Sequence, residues 1–390
     1  VGGDSVWDQP SDGKEFEMQR ELAENLLARI MDWDDATKAE ERVRLERFAA
    51  YKYDQYQKFS PGRRYLESLA LWLRQFKKGD ERRIAYNFVR DRLVFISNEE
   101  MNSLVDLAFP TVVRPALLRD AATASEISGY RSKAIQASQP YRALTRQTLI
   151  LGLSDGARTD RFRRVNAPAI SHEQVFHAYD VSQRKADDMV ERLHDDLADI
   201  MKCEPNSEEA RFRYVVLLDD FSASGFSYIR QDSLSGLWQG KIPKIVRELD
   251  SSEGLGGCIA DTDVRVMVVL YIASKQAMEQ IQRALENVSF EKGLVSLHVV
   301  FELDHATRLD PEDDAELFRL LENEQYFDDR VDDEHAEVGG TSMRFGFADG
   351  RLPLVLSHNT PNNSIYVLWA EDGHDVRGLF PRVSRHRQLD

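Results

Sequence analysis

Two cysteines in 390 residues, Cys203 and Cys258, exclude a disulfide framework, and their wide separation gives no zinc-ligand spacing. Long apolar runs are missing as well. The longest, such as Val266–Ala273, fall far short of the ~20 residues a membrane helix needs, and no basic segment followed by an apolar stretch stands at the N-terminus, where the first residue is Val. Positive charge is in deficit: 51 Lys and Arg against 67 Asp and Glu leave a formal charge of −16, which argues against broad nucleic-acid or anionic-membrane binding. Neither GxGxxG nor GxxxxGK[ST] occurs near an apolar segment, so the dinucleotide and P-loop signatures are excluded. No internal repeat is evident. A cytoplasmic protein of two or three domains is the expectation.

Residues 215–227, VVLLDDFSASGFS, carry the strongest chemistry. Val215–Leu218 is a continuous apolar run suited to a parallel strand covered on both faces. Asp219 and Asp220 follow at the strand's carboxyl end, where open α/β sheets bind ligands. The small residues Ser222, Ala223, Ser224, Gly225 and Ser227 let backbone N–H groups approach a phosphate closely, and Tyr228–Arg230 is expected to open a helix favouring an anion there. Acids beside such a loop make sense if they accept hydrogen bonds from sugar hydroxyls, directly or through a divalent cation, while the loop holds the sugar's phosphate. The bland alternative is a core strand ending in a solvated Asp pair and a Ser/Gly turn.

The remainder divides into a helical segment, 12–139, and an α/β segment, 140–390. In the first, Leu66, Leu69, Leu73 and Phe76 recur at helical spacing, and Ser97 with Glu100 forms a capping box. Tyr51, Tyr53 and Tyr56 beside Lys52 and Lys58 read as an amphipathic helix edge. In the second, Leu149–Leu153 is a short strand followed by Ser154, Asp155, Gly156, Ala157 and Arg158, a loop suited to a second anionic group. Arg161, Arg163 and Arg164 close behind either join in or pair with neighbouring acids. Ser171 with Gln174 is expected to cap a helix running to about Ile200. Ser251–Gly257 reads as a mobile loop or lid. Val264–Ala273, Lys275–Val288 and Leu294–Glu302 alternate strand, helix and strand, as a doubly wound, mostly parallel sheet requires. Near the C-terminus, Leu352–Leu356 and Ile365–Trp369 read as apolar strands around His358, Asn359, Thr360, Pro361, Asn362, Asn363 and Ser364. That polar string is either a turn network or a substrate-facing loop in which His358 serves acid–base chemistry and the asparagines read hydrogen bonds.

The 215–227 pattern resembles the phosphoribosyl pyrophosphate (PRPP) motif of type I phosphoribosyltransferases, with Phe226 bulkier than usual and Ser224 where Thr is commoner. Together with residues 358–364, HNTPNNS, with Leu379, Phe380, Pro381 and Arg382, and with Ser154–Asp160, the chain resembles the phosphoribosyltransferase-like domain of bacterial conflict (anti-phage) systems, PRTase-CE, over about Tyr141–Arg385. The resemblance implies a type I phosphoribosyltransferase-like α/β fold behind an N-terminal helical module. It implies Asp219 and Asp220 at the ribose hydroxyls, acting on Mg²⁺ only indirectly, and Ala223, Ser224, Gly225, Phe226 and Ser227 around the 5′-phosphate. Ser154, Asp155, Gly156, Ala157 and Arg158 would lie at the pyrophosphate, and His358, Asn359, Asn362 and Asn363 at the remaining substrate. Function then divides between Mg²⁺-dependent phosphoribosyl transfer and a non-catalytic PRPP or nucleotide sensor, with a defence-system protein as a partner for the helical module.

Overall fold

The computed structural model describes residues 12–59, 64–167, 169–177, 181–232, 235–371 and 375–382; the end of the expected resemblance, Arg385, lies outside them, as does the N-terminal stretch searched for a signal segment. Its strands are, in chain order, β1 (Val94–Ile96), β2 (Thr148–Gly152), β3 (Val175–Phe176), β4 (Tyr214–Ser222), β5 (Arg230–Gln231), β6 (Trp238–Gln239), β7 (Val264–Ser274), β8 (Gly293–Leu303) and β9 (Leu354–Leu356). The chain forms two compact units, 99–305 and 1–98 with 306–390. Their limits differ from the 139/140 division expected from composition: the helices after residue 98 group with the sheet, and the C-terminal segment groups with the N-terminal helices.

The 99–305 unit holds a five-stranded sheet in the order β3-β2-β4-β7-β8, every neighbouring pair parallel. Renumbered within the sheet this is 2-1-3-4-5, a doubly wound order whose direction reverses between β2 and β4. Continuous apolar strands suit it, because parallel strands are covered on both faces. One face carries Leu149, Leu151, Val215, Leu217, Val266, Val268 and Leu270, buried against the helices Gln183–Met201, Lys241–Asp250 and Lys275–Leu285. The first of these helices offers Ala186, Met189, Leu193 and Leu197 at three- and four-residue spacing, the stripe that a helix buries. Each large side chain so buried stabilises the fold by ~1.5–3 kcal/mol. On the opposite face Tyr214 donates to Asp120, which also pairs with Arg265 at 2.7 Å, tying the helix Arg114–Ala124 to β4 and β7.

Three expectations in this unit are corrected. Ser171 and Gln174 do cap a start, with Ser171 N donating to Gln174 Oε1 at 3.0 Å, but they open only the single turn His172–Gln174. The Gln174 amide donates to the carbonyls of Thr145 and Thr148, which stops the turn and docks β3 beside β2; the helix waits until Gln183. Residues 251–257 are not an irregular loop throughout: Gly254–Gly257 is a helical turn with Leu255 and Gly256 buried. Tyr228–Arg230 opens no helix, because after one turn closed by Tyr228 N and Ile229 N on Gly225 O the chain enters the β5–β6 hairpin.

The other unit takes strands from both ends of the chain: β1 pairs parallel with β9. Tyr53, Tyr56, Phe59, Tyr65 and Phe95 gather around Phe380 at centroid distances of 5.2–6.0 Å. Tyr56 and Tyr53 are therefore core, as the amphipathic reading requires, while Tyr51 is exposed. The expected strand at 365–369 is instead the helical turn Tyr366–Trp369; β9 already has its partner in β1, and Leu368 N and Ala370 N bond back to Ile365 O and Tyr366 O. Among the described residues no helix is long and apolar enough to cross a membrane.

Candidate functional site

The direction reversal between β2 and β4 opens a crevice at their carboxyl ends, the place where such sheets bind ligands. Asp219 and Asp220 lie there, but within β4, which runs on to Ser222. Adjacent strand residues point to opposite faces. Asp219 follows Val215 and Leu217 toward the helix Lys241–Asp250, and Asp220 follows Val216 and Leu218 toward the 154–158 loop.

Asp219 is fully buried. Its Oδ1 accepts from Ser154 Oγ and, at 3.2 Å, from Asp220 N. Its Oδ2 accepts from the Tyr228 hydroxyl at 2.6 Å and from Lys241 Nζ, which also sits 4.8 Å from the centre of the Tyr228 ring. Burial pushes the Asp219 carboxyl above the ordinary carboxylate range; Lys241 opposes the shift and Asp220 adds to it. The same burial, with Asp219 beside it, holds the Tyr228 phenol well above its usual value. A buried ion pair is weak evidence for net stability, yet removing one partner alone costs ~3–5 kcal/mol because the other charge is left without compensation.

Asp220 is half-buried, and its Oδ1 accepts from Phe221 N at 2.9 Å. Its other oxygen occupies the space in front of Gly156: a Cβ built on Gly156 would stand 2.2 Å from Oδ2. Ser154 begins this loop with its hydroxyl accepting from Gly156 N at 3.2 Å, and the Tyr271 hydroxyl of β7 donates to Ala157 O. Arg158 ends it in the left-handed region at φ 47° and donates to Asn102 Oδ1 at 2.7 Å. Burial lowers Arg158 from the usual guanidinium value, and the nearby Asp220 works against that. Asp155 is exposed on the same turn. The following arginines are paired: Arg161 reaches Asp106 on the helix Asn98–Ala108, while Arg163 with Asp160 at 3.1 Å and Arg164 with Asp160 O at 3.3 Å pair within their own helix.

The loop after β4 is packed. Ala223 and Ser224 are buried, and Gly225 adopts φ +79°, where an added Cβ would press on Ile281 and the Ala277 carbonyl of the helix Lys275–Leu285. Ser222 Oγ accepts from Gly225 N at 3.2 Å, Ser224 Oγ accepts from Phe226 N at 3.4 Å, and Ser274 Oγ donates to Ala223 O. Phe226 is half-buried and Ser227 exposed. The first turn of the helix Lys241–Asp250 is occupied by this segment, since Lys241 N and Ile242 N donate to Ser227 O and Tyr228 O.

The structure thus brings together Ser154, Asp155, Gly156, Ala157, Arg158, Asp219, Asp220 and the 223–227 loop at one sheet edge. His358, Asn359, Asn362 and Asn363 belong to the other unit. There Asn362 O accepts from Phe347 N at 2.8 Å and Asn363 Nδ2 donates to Phe347 O at 2.9 Å, so these two serve a turn network. Thr360 Oγ1 donates to Phe380 O at 2.8 Å and Ser364 Oγ to Leu354 O at 2.6 Å in the same network. His358 and Asn359 are partly exposed on the turn after β9, and the Asn359 side-chain oxygen is buried without a hydrogen-bond partner. Sequence reasoning missed Lys241 and Tyr271, and gave Tyr228 only a helix-opening place. Periodicity marks an apolar run but not which hydroxyl or ammonium will cover its polar end.

Asp219 does not fit direct metal coordination, because both its oxygens already accept hydrogen bonds and an ammonium group lies on one of them. Among the described residues no group of three or more His, Cys, Asp and Glu side chains is arranged to hold a metal ion. Asp220 fits an indirect part, through a water or through a ligand that carries its own cation.

Strand order and the position of the acids define a doubly wound α/β protein with a crevice at the sheet's direction reversal. Comparison with protein families narrows the class. Residues 69–382 match the family model described as PRTase-CE, and the chain belongs to that family. Comparison with curated proteins and with solved structures gave no match.

Proposed function

We propose that the crevice between β2 and β4 binds PRPP or a related phosphoribosyl nucleotide. The observation that carries this is the meeting, at the sheet's direction reversal, of the Asp219–Asp220 edge, the 154–158 loop and the Ser/Gly loop 223–227, in a chain of the PRTase-CE family. In this reading Asp220 accepts hydrogen bonds from the ribose hydroxyls. The 5′-phosphate is held by the small-residue loop, with the hydroxyls of Ser224 and Ser227 as further donors. Arg158 and the 154–157 backbone face the diphosphate end. Mg²⁺ belongs to the proposal as the counter-ion of that diphosphate, where it would neutralise the departing charge.

If transfer occurs, a nucleobase nitrogen or another acceptor bonds to C1′ as the C1′–O bond to pyrophosphate breaks; the negative charge of Asp220 favours the oxocarbenium-like C1′ between the two, and Arg158 favours the leaving pyrophosphate. The second reading is a PRPP or nucleotide sensor without turnover. What favours it is that three polar side chains of the cluster, Asp219, Tyr228 and Lys241, are bonded to one another rather than presented as an acid–base pair. Acid–base or base-reading roles for His358, Asn359, Asn362 and Asn363 rest on the sequence pattern and the family resemblance. A place in anti-phage defence and a protein partner for the helical segment 12–139 rest on the resemblance alone, and a cytoplasmic location on the cysteine usage.

Calorimetry with PRPP and Mg²⁺, followed by an assay for released pyrophosphate against a panel of bases, tests the proposal. Binding with release makes the protein a transferase, and binding without release makes it a sensor. Absence of binding overturns the reading.

A further inference from the structure

The adjacent acids sit in unequal surroundings. Asp219 is closed off, with Ser154 Oγ, Asp220 N, the Tyr228 hydroxyl and Lys241 Nζ as donors. A carboxylate offers about four lone-pair sites, so a sugar hydroxyl would have to displace one of these donors from a buried position. The side-chain donors come from three separate segments: the loop after β2, the turn after the 223–227 loop, and the first residue of the helix Lys241–Asp250. Asp220 is half-buried on the opposite face of the strand, against Gly156 and near Arg158.

We infer that the two acids divide their labour: Asp220 is the ligand-facing carboxylate, and Asp219 with Lys241 is a positioning pair that fastens the 154–158 loop to the turn at Tyr228 and to the start of the helix Lys241–Asp250. Lys241 touches no ligand in this arrangement; it acts through Asp219. The assignment rests on the phosphoribosyl reading of the site and deepens it. A motif that shows two equivalent acids in sequence becomes one ligand acid and one internal counter-ion, because strand alternation sends the two side chains to different layers.

The test uses the full chain, PRPP with Mg²⁺ in the calorimeter, and thermal melting of Asp220→Asn, Lys241→Met, Lys241→Arg and the double variant Asp219→Asn with Lys241→Met. Asp220→Asn raises the Kd for PRPP about tenfold or more while the melting temperature holds. Lys241→Met lowers both melting temperature and affinity, and Lys241→Arg, which keeps the charge, loses less of each. Adding Asp219→Asn to Lys241→Met removes the uncompensated buried charge, so both properties recover toward wild type. If Asp219 bound ligand, the second substitution would weaken PRPP further even as the melting temperature rose, and that result overturns the division. Where Lys241→Met does not fold, the double variant is compared with Asp220→Asn and must bind PRPP more tightly. Wild-type protein that fails to bind PRPP overturns the site reading itself, before any substitution is compared.

Discussion

Replacing Gly156 by Ala separates the proposed ligand role of Asp220 from the stability of the fold. The new methyl carbon would stand 2.2 Å from Asp220 Oδ2 and 2.5 Å from its Cγ, against an ordinary contact of 3.4 Å or more, so the carboxylate must retreat by about an ångström. What is struck is the end of a side chain rather than backbone, and Asp220 yields by turning off its preferred rotamer at a cost of ~0.5–1.5 kcal/mol. Ligand binding suffers more. A hydrogen bond to a charged group contributes ~1.5–3 kcal/mol, and moving its acceptor by that distance forfeits most of it, about 10–100-fold in Kd. Calorimetric titration with PRPP and Mg²⁺, beside urea unfolding of the same preparation, reads both quantities. Wild-type affinity in the Ala variant, or a stability loss of core-collapse size with affinity falling only in proportion, would refute the reasoning.

Tyr271→Phe removes the hydroxyl that donates to Ala157 O, leaving a buried carbonyl unpaired; urea unfolding is expected to show a loss of ~1–3 kcal/mol, with faster amide exchange across 154–158. In the other unit Arg330 holds the Asp328 carboxyl down, to about 2 from 3.8, chiefly by its hydrogen bonds to that group. A depressed carboxylate contributes stability above its unfolded value that is lost as pH falls through the folded one. The stability difference between wild type and Arg330→Gln should therefore be full at neutral pH, shrink as pH falls from about 4 through 2 and be lost only below the folded value; a difference that keeps its neutral-pH size at pH 2 would count against the pair.

Much of the sheet was readable because its strands declare themselves. Leu149–Leu153, Val215–Leu218 and Val264–Ala273 are apolar or nearly so, as strands covered on both faces must be, while Leu294–Glu302, which carries Ser296, His298 and Glu302, forms the half-exposed edge strand; each proves to be a parallel strand within a few residues of the expected bounds. Short elements failed where local and distant bonds compete. The capping residues at 171–174 suit a helix start equally well, until the Gln174 amide finds the carbonyls of Thr145 and Thr148. Tyr228–Arg230 offers a helix start too, until the hairpin and the first turn of the next helix claim its backbone. Ile365–Trp369 is apolar enough for a strand, yet β9 is paired with β1, some 260 residues away in sequence.

The linear chain by itself determined an apolar strand at 215–218 leading into two acids and a loop of small residues, since apolar continuity and small residues are local properties of 215–227; that the strand runs on through both acids to Ser222 was decided by its pairing with β7. It also carried the family resemblance that the match over 69–382 bears out. Only the tertiary structure decided that the acids are unequal. Which of two neighbouring carboxylates is buried depends on what packs against each face of the strand. Here Lys241 and Tyr228 arrive on one side and Gly156 on the other, from segments that no spacing rule connects. It likewise decided that the chain's two ends build one unit, because a parallel pair such as β1 and β9 is made by long-range closure rather than by anything adjacent residues encode.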